Sequence, residues 1–153
     1  MRLITPEEFQ NFPVVNGVKQ CPTGDYSLIK EFPEYCSFAK GCSFAVGCSF
    51  AGYCSFAEGC SFAERCSFAE YCSFARGCSI VDKEILQMKS LGSLGEHQRT
   101  LYLWKTKEGF FLQAGCFFGT PEEFTNAVLK KYKNPEHEYI KSMNFLISLM
   151  EDK

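Results

Sequence analysis

The sequence predicts a mainly β protein, in which a short, three-sided, parallel β-helix is followed by a C-terminal α+β module. Two observations support this prediction. A hexapeptide, Cys-Ser-Phe-Ala-x-x, begins at Cys36 and recurs without a slip through Cys72, with a truncated copy at Cys78. After Ile80 the repeat stops, and strand-like and then helix-like patterns replace it. Short identical units predict stacking, because one unit cannot bury its apolar face alone.

Each hexad reads as one side of a coil. In an extended chain alternate side chains point in opposite directions, so Cys and Phe point inward and Ser points outward. The residue before each Cys recurs every third hexad, and two columns result. These are Tyr35, Tyr53 and Tyr71, and Gly41, Gly59 and Gly77. Eighteen residues on three equal sides is the geometry of a left-handed parallel β-helix, and the eight hexads make about 2.7 coils.

The hexad resembles a known family. Phe38-Ala39-Lys40-Gly41-Cys42-Ser43 is similar to the hexapeptide-repeat pattern, with Phe in the aliphatic position and Cys in the small one. The resemblance covers about a third of the chain and implies left-handed coils. Phe with a small residue two places earlier also resembles pentapeptide-repeat proteins, which form a four-sided right-handed helix, but their period is five.

The flanking segments divide the chain into residues 1–33, 34–81 and 82–153. Residues 1–33 are expected to cap the coils, and Phe32 is expected to enter the first coil. Thr5-Pro6-Glu7-Glu8 predicts a capped helical turn, and Asn16-Gly17 predicts a hairpin.

Residues 82–153 predict a β-hairpin followed by two helices. The segment from Asp82 to Leu91 fits a helix or a strand. Residues 100–106 and 110–118 flank a glycine turn, as in a hairpin. Thr120-Pro121-Glu122-Glu123 is a capping box for a helix ending near Lys133, and a second helix is expected over 136–150.

One segment suggests an origin. Gly115-Cys116-Phe117-Phe118-Gly119-Thr120-Pro121-Glu122-Glu123-Phe124 resembles a segment that recurs in small proteins of phages and bacterial mobile elements. The resemblance implies no chemistry. It implies a protein that acts in the cytoplasm of a bacterial host.

Charge and hydropathy agree with a cytoplasmic protein. A net charge of −2 offers no basic surface for nucleic acid or acidic membranes. Residues 1–6 do not start a signal peptide, and no apolar run reaches membrane-spanning length. We therefore expect no direct nucleic-acid binding and no membrane contact.

The ten cysteines are expected to be reduced. Eight of them start a hexad and are small inward side chains. Zinc sites need paired ligands two to four residues apart, whereas these lie six apart. A disulfide between stacked coils stays open as an alternative. No metal and no cofactor are expected.

Catalysis is not expected. Many hexapeptide-repeat proteins are acyltransferases with a histidine base, but both histidines, His97 and His137, lie outside the repeat. Cys116 has no evident base beside it and reads as a buried strand cysteine.

The surface suggests binding. The candidate residues are Tyr35, Tyr53, Tyr71, Glu58, Glu64 and Glu70. Tyrosine is favoured at interfaces, although the column can also serve only to join the coils. The acids form a rim at three corners of one coil, and such a row of negative charge could imitate the backbone of a nucleic acid. The positive charges of Lys40, Arg65 and Arg76 nearly cancel it.

The expected function is therefore a binding protein encoded by a phage or mobile element. Its target is expected to be a host protein or nucleoprotein, such as a CRISPR defence nuclease, which it inhibits. Outward serines such as Ser61 support an alternative, a structural homo-oligomerisation module. An acyltransferase remnant is the third hypothesis.

Overall fold

The computed structural model describes residues 1–95, 98–115 and 117–151 and divides into two compact units, Met1–Ile85 and Leu86–Lys153. The first unit contains one helix and short strands. They are α1 (Pro6–Gln10), β1 (Val14–Val15), β2 (Val18–Cys21), β3 (Glu31–Phe32), β4 (Cys36–Phe38), β5 (Ser43–Phe44), β6 (Ser49–Phe50), β7 (Ser55–Phe56), β8 (Ser61–Phe62), β9 (Ser67–Phe68), β10 (Ser73–Phe74) and β11 (Ser79–Ile80).

These strands form a β-solenoid of about three turns, which confirms the predicted stacked parallel coils. The three faces have the strand orders β2-β4-β7-β10, β5-β8-β11 and β3-β6-β9. Ser37 pairs with Ser55, and Ser43 pairs with Ser61, in parallel register. Each coil therefore has three sides and takes eighteen residues, as the tyrosine column predicted. The left hand of the coils stays a prediction.

The parallel pairing starts before the first hexad. Strand β2 pairs with β4, Asp25 bridges Ser43, and Phe32 pairs with Phe50. Phe32 thus lies in the first coil, as expected. The first helix begins at the predicted capping box of Thr5 and Glu8, and β1 and β2 form the predicted hairpin at Asn16-Gly17.

The solenoid core is a lattice of phenylalanine rings. Phe38 stacks on Phe56 with centroids 5.2 Å apart, and Phe50 stacks on Phe68 at 5.1 Å. Neighbouring columns meet edge to face, as Phe56 and Phe62 do at 4.8 Å. Both arrangements are favoured by the charge distribution of aromatic rings. The small cysteines complete this core, so a narrow coil can accommodate a phenylalanine on every side.

Strand β12 (Lys83–Leu94) begins in the first unit, antiparallel to β11, and continues into the second. Val81 and Asp82 both have positive φ, of 48° and 64°, so they reverse the chain as a hairpin turn does. The segment from Asp82 to Leu91, for which helix and strand were both open, is therefore a strand from Lys83 onward.

The second unit contains a sheet and two helices, as predicted. The further strands are β13 (Arg99–Thr106), β14 (Gly109–Ala114) and β15 (Phe117–Gly119), in the order β12-β13-β14-β15. The helices are α2 (Pro121–Tyr132) and α3 (Glu138–Met150). Their apolar faces pack with the sheet in a core that includes Leu103, Leu112, Phe124 and Leu146.

Two boundaries differ from the prediction. The second hairpin arm is two strands, because Gly115, at φ 58°, ends β14 and lets β15 fold back on it. The last helix starts at Glu138, because Asn134 accepts a hydrogen bond from the Glu136 amide and His137 accepts one from the Tyr139 amide. His137 thus caps a helix.

Candidate functional site

The site residues predicted from the sequence lie at the corners of the coils. At each corner the residue before the cysteine has positive φ. Glycine takes this position at Gly41, Gly47, Gly59 and Gly77, with φ between 72° and 84°. Tyr35, Tyr53 and Tyr71 take it at another corner, with φ of 60°, 61° and 63°. A side chain in this conformation costs roughly 1–2 kcal/mol per residue, so these tyrosines occupy positions that favour glycine.

The three tyrosines form one continuous ladder. Tyr35 and Tyr53 stack with centroids 4.9 Å apart and planes 10° apart, and Tyr53 and Tyr71 stack at 4.9 Å and 20°. Their exposed fractions are 43%, 46% and 70%, so much of each ring faces solvent. We call this corner, formed by Glu34, Tyr35, Gly52, Tyr53, Glu70 and Tyr71, the tyrosine edge.

The tyrosine edge is acidic. Glu34 and Glu70 precede the outer two tyrosines, and Gly52 precedes the middle one. A Cβ on Gly52 would lie 3.1 Å from the Glu70 carbonyl oxygen and 3.9 Å from Glu34 Oε2. Partial burial raises the pKa of Tyr53, and the neighbouring Tyr35 and Tyr71, followed by the carboxylates of Glu70 and Glu34, raise it further. The edge thus combines stacked rings with negative charge.

The structure separates the three predicted acids. The carbonyls of Glu58, Glu64 and Glu70 accept hydrogen bonds from the amides of Gly41, Gly47 and Tyr53, which lie at three different corners. Glu58 lies 3.7 Å from Arg76 in an exposed ion pair. Of these three acids, Glu70 alone belongs to the tyrosine edge. Glu34 joins it, and its position one residue before Tyr35 was the signal for this in the sequence.

The described cysteines are free thiols and line the interior of the coils. Cys60 and Cys54 donate to the Ala39 and Pro33 carbonyls in the preceding coil, at 3.3 and 3.4 Å. The hydrogen bond with Cys36 raises the pKa of Cys54 to about 11, with a contribution from burial and a partial offset from Cys72. A protonated buried thiol is a poor nucleophile. His97 and Cys116, considered as catalytic residues, lie outside the described residues.

Within residues 1–95, 98–115 and 117–151 no three His, Cys, Asp or Glu side chains converge as metal ligands do. Of the helices in these ranges, none combines the length and the apolar character that a membrane span needs. Compared with models of protein families, with characterised proteins and with solved structures, the chain matches none.

Proposed function

We propose that the protein is a non-enzymatic binding protein and that the tyrosine edge is its contact surface. One observation carries the proposal: three tyrosines stand exposed in a backbone conformation that favours glycine. Of the five equivalent positions at the other two corners, four are glycine and one is arginine, so tyrosine is not required to turn the chain. Unfavourable backbone conformations concentrate at functional sites.

The chemistry of the edge favours a basic protein partner. Tyrosine buries a large area with little loss of side-chain entropy, and it is enriched among residues that dominate interfaces. The carboxylates of Glu34 and Glu70 attract cations, and exposed ring faces bind arginine or lysine. A partner loop or helix that presents arginines at the spacing of the ladder fits both features.

More specifically, we propose that the protein is of phage or mobile-element origin and inhibits a host macromolecule, such as a CRISPR nuclease. Its support is the resemblance of residues 115–124 to segments in such proteins. Membership of the hexapeptide-repeat family, and with it an acyltransferase ancestry, rests in the same way on the repeat pattern. A host nucleoprotein that exposes basic protein surface is the partner class that the acidic edge would fit.

Homo-oligomerisation is the alternative function. Its support is the outward serines, which form rows in register, as Ser37 and Ser55 do with Ser73. Rows of small side chains let a second sheet approach closely. Replacing Ser61 with a bulky residue would then abolish assembly, whereas the tyrosine edge would tolerate substitution.

The test is affinity capture from bacterial lysate with the full chain as bait, together with the solution mass by light scattering. Three baits are compared: the wild type, Tyr53→Gly and Arg65→Gly. Arg65 is the matched control, because it occupies the equivalent backbone position, at φ 64°, on another corner. Both glycine variants are expected to retain the backbone conformation, because glycine adopts positive φ readily.

A partner captured in stoichiometric amount by the wild type and by Arg65→Gly, but lost with Tyr53→Gly, would support the tyrosine edge. Equal capture by all three baits would contradict the assignment of that edge. A clean homo-oligomer without a captured partner would favour the structural module for the host tested.

A further inference from the structure

A cleft lies in the second unit, and no pattern in the sequence indicated it. Its volume is about 260 Å³. Its lining includes Arg99, Phe117, Phe124, Val128, Lys131 and Tyr139. These residues come from the strands β13 and β15 and the helices α2 and α3, so distant parts of the sequence meet there.

The wall of the cleft is a set of aromatic rings in mutual contact. Phe117 meets Phe124 edge to face at 5.3 Å, and Phe124 lies 6.4 Å from Tyr139. Tyr132 meets Tyr139 edge to face at 5.9 Å. Because these rings hold one another in place, the apolar wall is formed before a ligand arrives, as in most small-molecule sites.

Two cations lie at this wall. Burial raises the pKa of Tyr139, and the nearby positive charge of Arg99 opposes this rise. The Arg99 guanidinium packs so closely on Gly115 that a Cβ there would overlap Nη1. The Lys131 Nζ lies 5.3 Å from the centre of the Tyr132 ring. Among the described residues that line the cleft there is no carboxylate. The cleft therefore combines an apolar wall with positive charge.

We propose that the cleft binds a small amphipathic carboxylate, with its apolar body against Phe117, Phe124 and Val128 and its carboxylate held by Arg99 and Lys131. Guanidinium groups bind carboxylates through paired, charge-assisted hydrogen bonds. At ~30 Å³ for each water-sized group, the cleft holds a ligand of about nine non-hydrogen atoms. Octanoate and phenylpropionate are slightly larger than this, so one end of either would extend from the cleft into solvent.

The test is titration of the full chain, followed by NMR, with octanoate and with phenylpropionate up to about 5 mM. Octanol is the neutral comparison. At least one carboxylate is expected to bind about tenfold more tightly than octanol, the factor that one charge-assisted hydrogen bond supplies. The resonances that shift are expected to belong to the lining residues.

Four variants test which cation binds the carboxylate. Arg99→Gln and Lys131→Gln are each expected to weaken carboxylate binding about tenfold and to leave octanol binding within about twofold. Lys130→Gln is the matched control, because Lys130 shares the last turn of α2 but does not line the cleft. Arg99→Lys retains the charge should Arg99→Gln fail to fold, and it is expected to retain most of the binding.

Absence of saturable binding by both carboxylates would overturn the proposal. So would octanol binding as tight as that of the carboxylates, or an equal effect of the changes at Lys130 and Lys131.

Discussion

At the scale of single residues, a side chain at a corner with positive φ has two opposite effects on stability: it adds a backbone cost, and it can add favourable contacts. Glycine is the default where φ is positive, because it has no Cβ to collide with the backbone. At Tyr53 the ring contacts Tyr35 and Tyr71 on either side, and stacking of this kind contributes about 0.5–1.5 kcal/mol per pair. The ladder thus offsets part of the backbone cost that it creates.

Tyr53→Gly is expected to be more stable than Tyr53→Ala by about 0.5–1 kcal/mol. Both variants lose the ring, but alanine keeps the cost of positive φ, whereas glycine removes it. Urea unfolding of the two proteins measures the difference. Ala69, whose φ is not positive, is the control position, and there Ala69→Gly is expected to lower stability. Equal stability of the two Tyr53 variants would contradict the backbone cost.

At the scale of the repeated element, the cysteines form columns that parallel the phenylalanine columns. Cys36, Cys54 and Cys72 belong to one of them, and their thiols donate hydrogen bonds to the backbone carbonyls of Pro33, Pro33 and Ala51. The pKa of Cys36 is raised to about 12, first by its hydrogen bond with Cys21. The hydrogen bond with Cys54, together with burial, raises the pKa of Cys72. The folded column therefore retains its protons at pH values where free thiols ionise.

Stability is expected to fall as the pH rises from about 9 to 10. An unfolded thiol ionises near pH 8.5, whereas the pKa of folded Cys54 is about 11. The unfolded state then binds fewer protons than the folded state, so its free energy falls relative to that of the folded state. Each such thiol lowers the free energy of unfolding by about 1.4 kcal/mol per pH unit, and the effect is absent below the unfolded pKa.

Cys54→Ala is expected to reduce that slope by about 1.4 kcal/mol per pH unit. Urea unfolding at a series of pH values measures it. Ser37→Ala removes an outward group that does not titrate, so its slope is expected to match that of the wild type. A Cys54→Ala slope identical to the wild-type slope would mean that this thiol does not retain its proton in the folded state.

The repeat made the solenoid predictable, whereas the second unit was predictable only in outline. One hexad, read with the column of Tyr35, Tyr53 and Tyr71, is enough to predict the number of sides and the register. In the second unit no pattern indicated that Gly115 would end a strand, because a glycine within an apolar run also fits a continuous strand. The cleft was unpredictable for a related reason: Arg99 and Lys131 lie on different elements, and only tertiary packing brings them to one wall.

At the scale of the whole molecule, the first unit behaves as a stack whose ends need cover. A coil with no neighbour exposes backbone groups and ring faces that the next coil would bury. At the start of the stack, Phe9 of α1 meets Phe32 edge to face at 5.4 Å, and Tyr26 stacks on Phe44 at 5.5 Å. At the other end, β12 pairs with β11.

Phe9→Ala is expected to lower the free energy of unfolding of the first unit by about 3 kcal/mol. The side chain is 6% exposed, and its loss leaves a cavity over the first coil. Hydrogen exchange measures the effect through amides in the middle of the stack, such as that of Ala57, which donates to the Phe38 carbonyl. Phe145→Ala, at a position 53% exposed on α3, is the control and is expected to change stability by less than about 0.5 kcal/mol. Unchanged protection of Ala57 in Phe9→Ala would mean that the helix does not support the stack.

The eighteen-residue register also limits how the gene can change length. Gain or loss of one hexad would keep every phenylalanine inward and every serine outward, because all hexads are alike in those positions. It would nevertheless move each later tyrosine to a neighbouring corner and interrupt the ladder of Tyr35, Tyr53 and Tyr71. Only changes of three hexads preserve both the core and that surface. Gain or loss of a single hexad by replication slippage would therefore still allow the chain to fold. A function that depends on the tyrosine edge would survive only the gain or loss of whole coils.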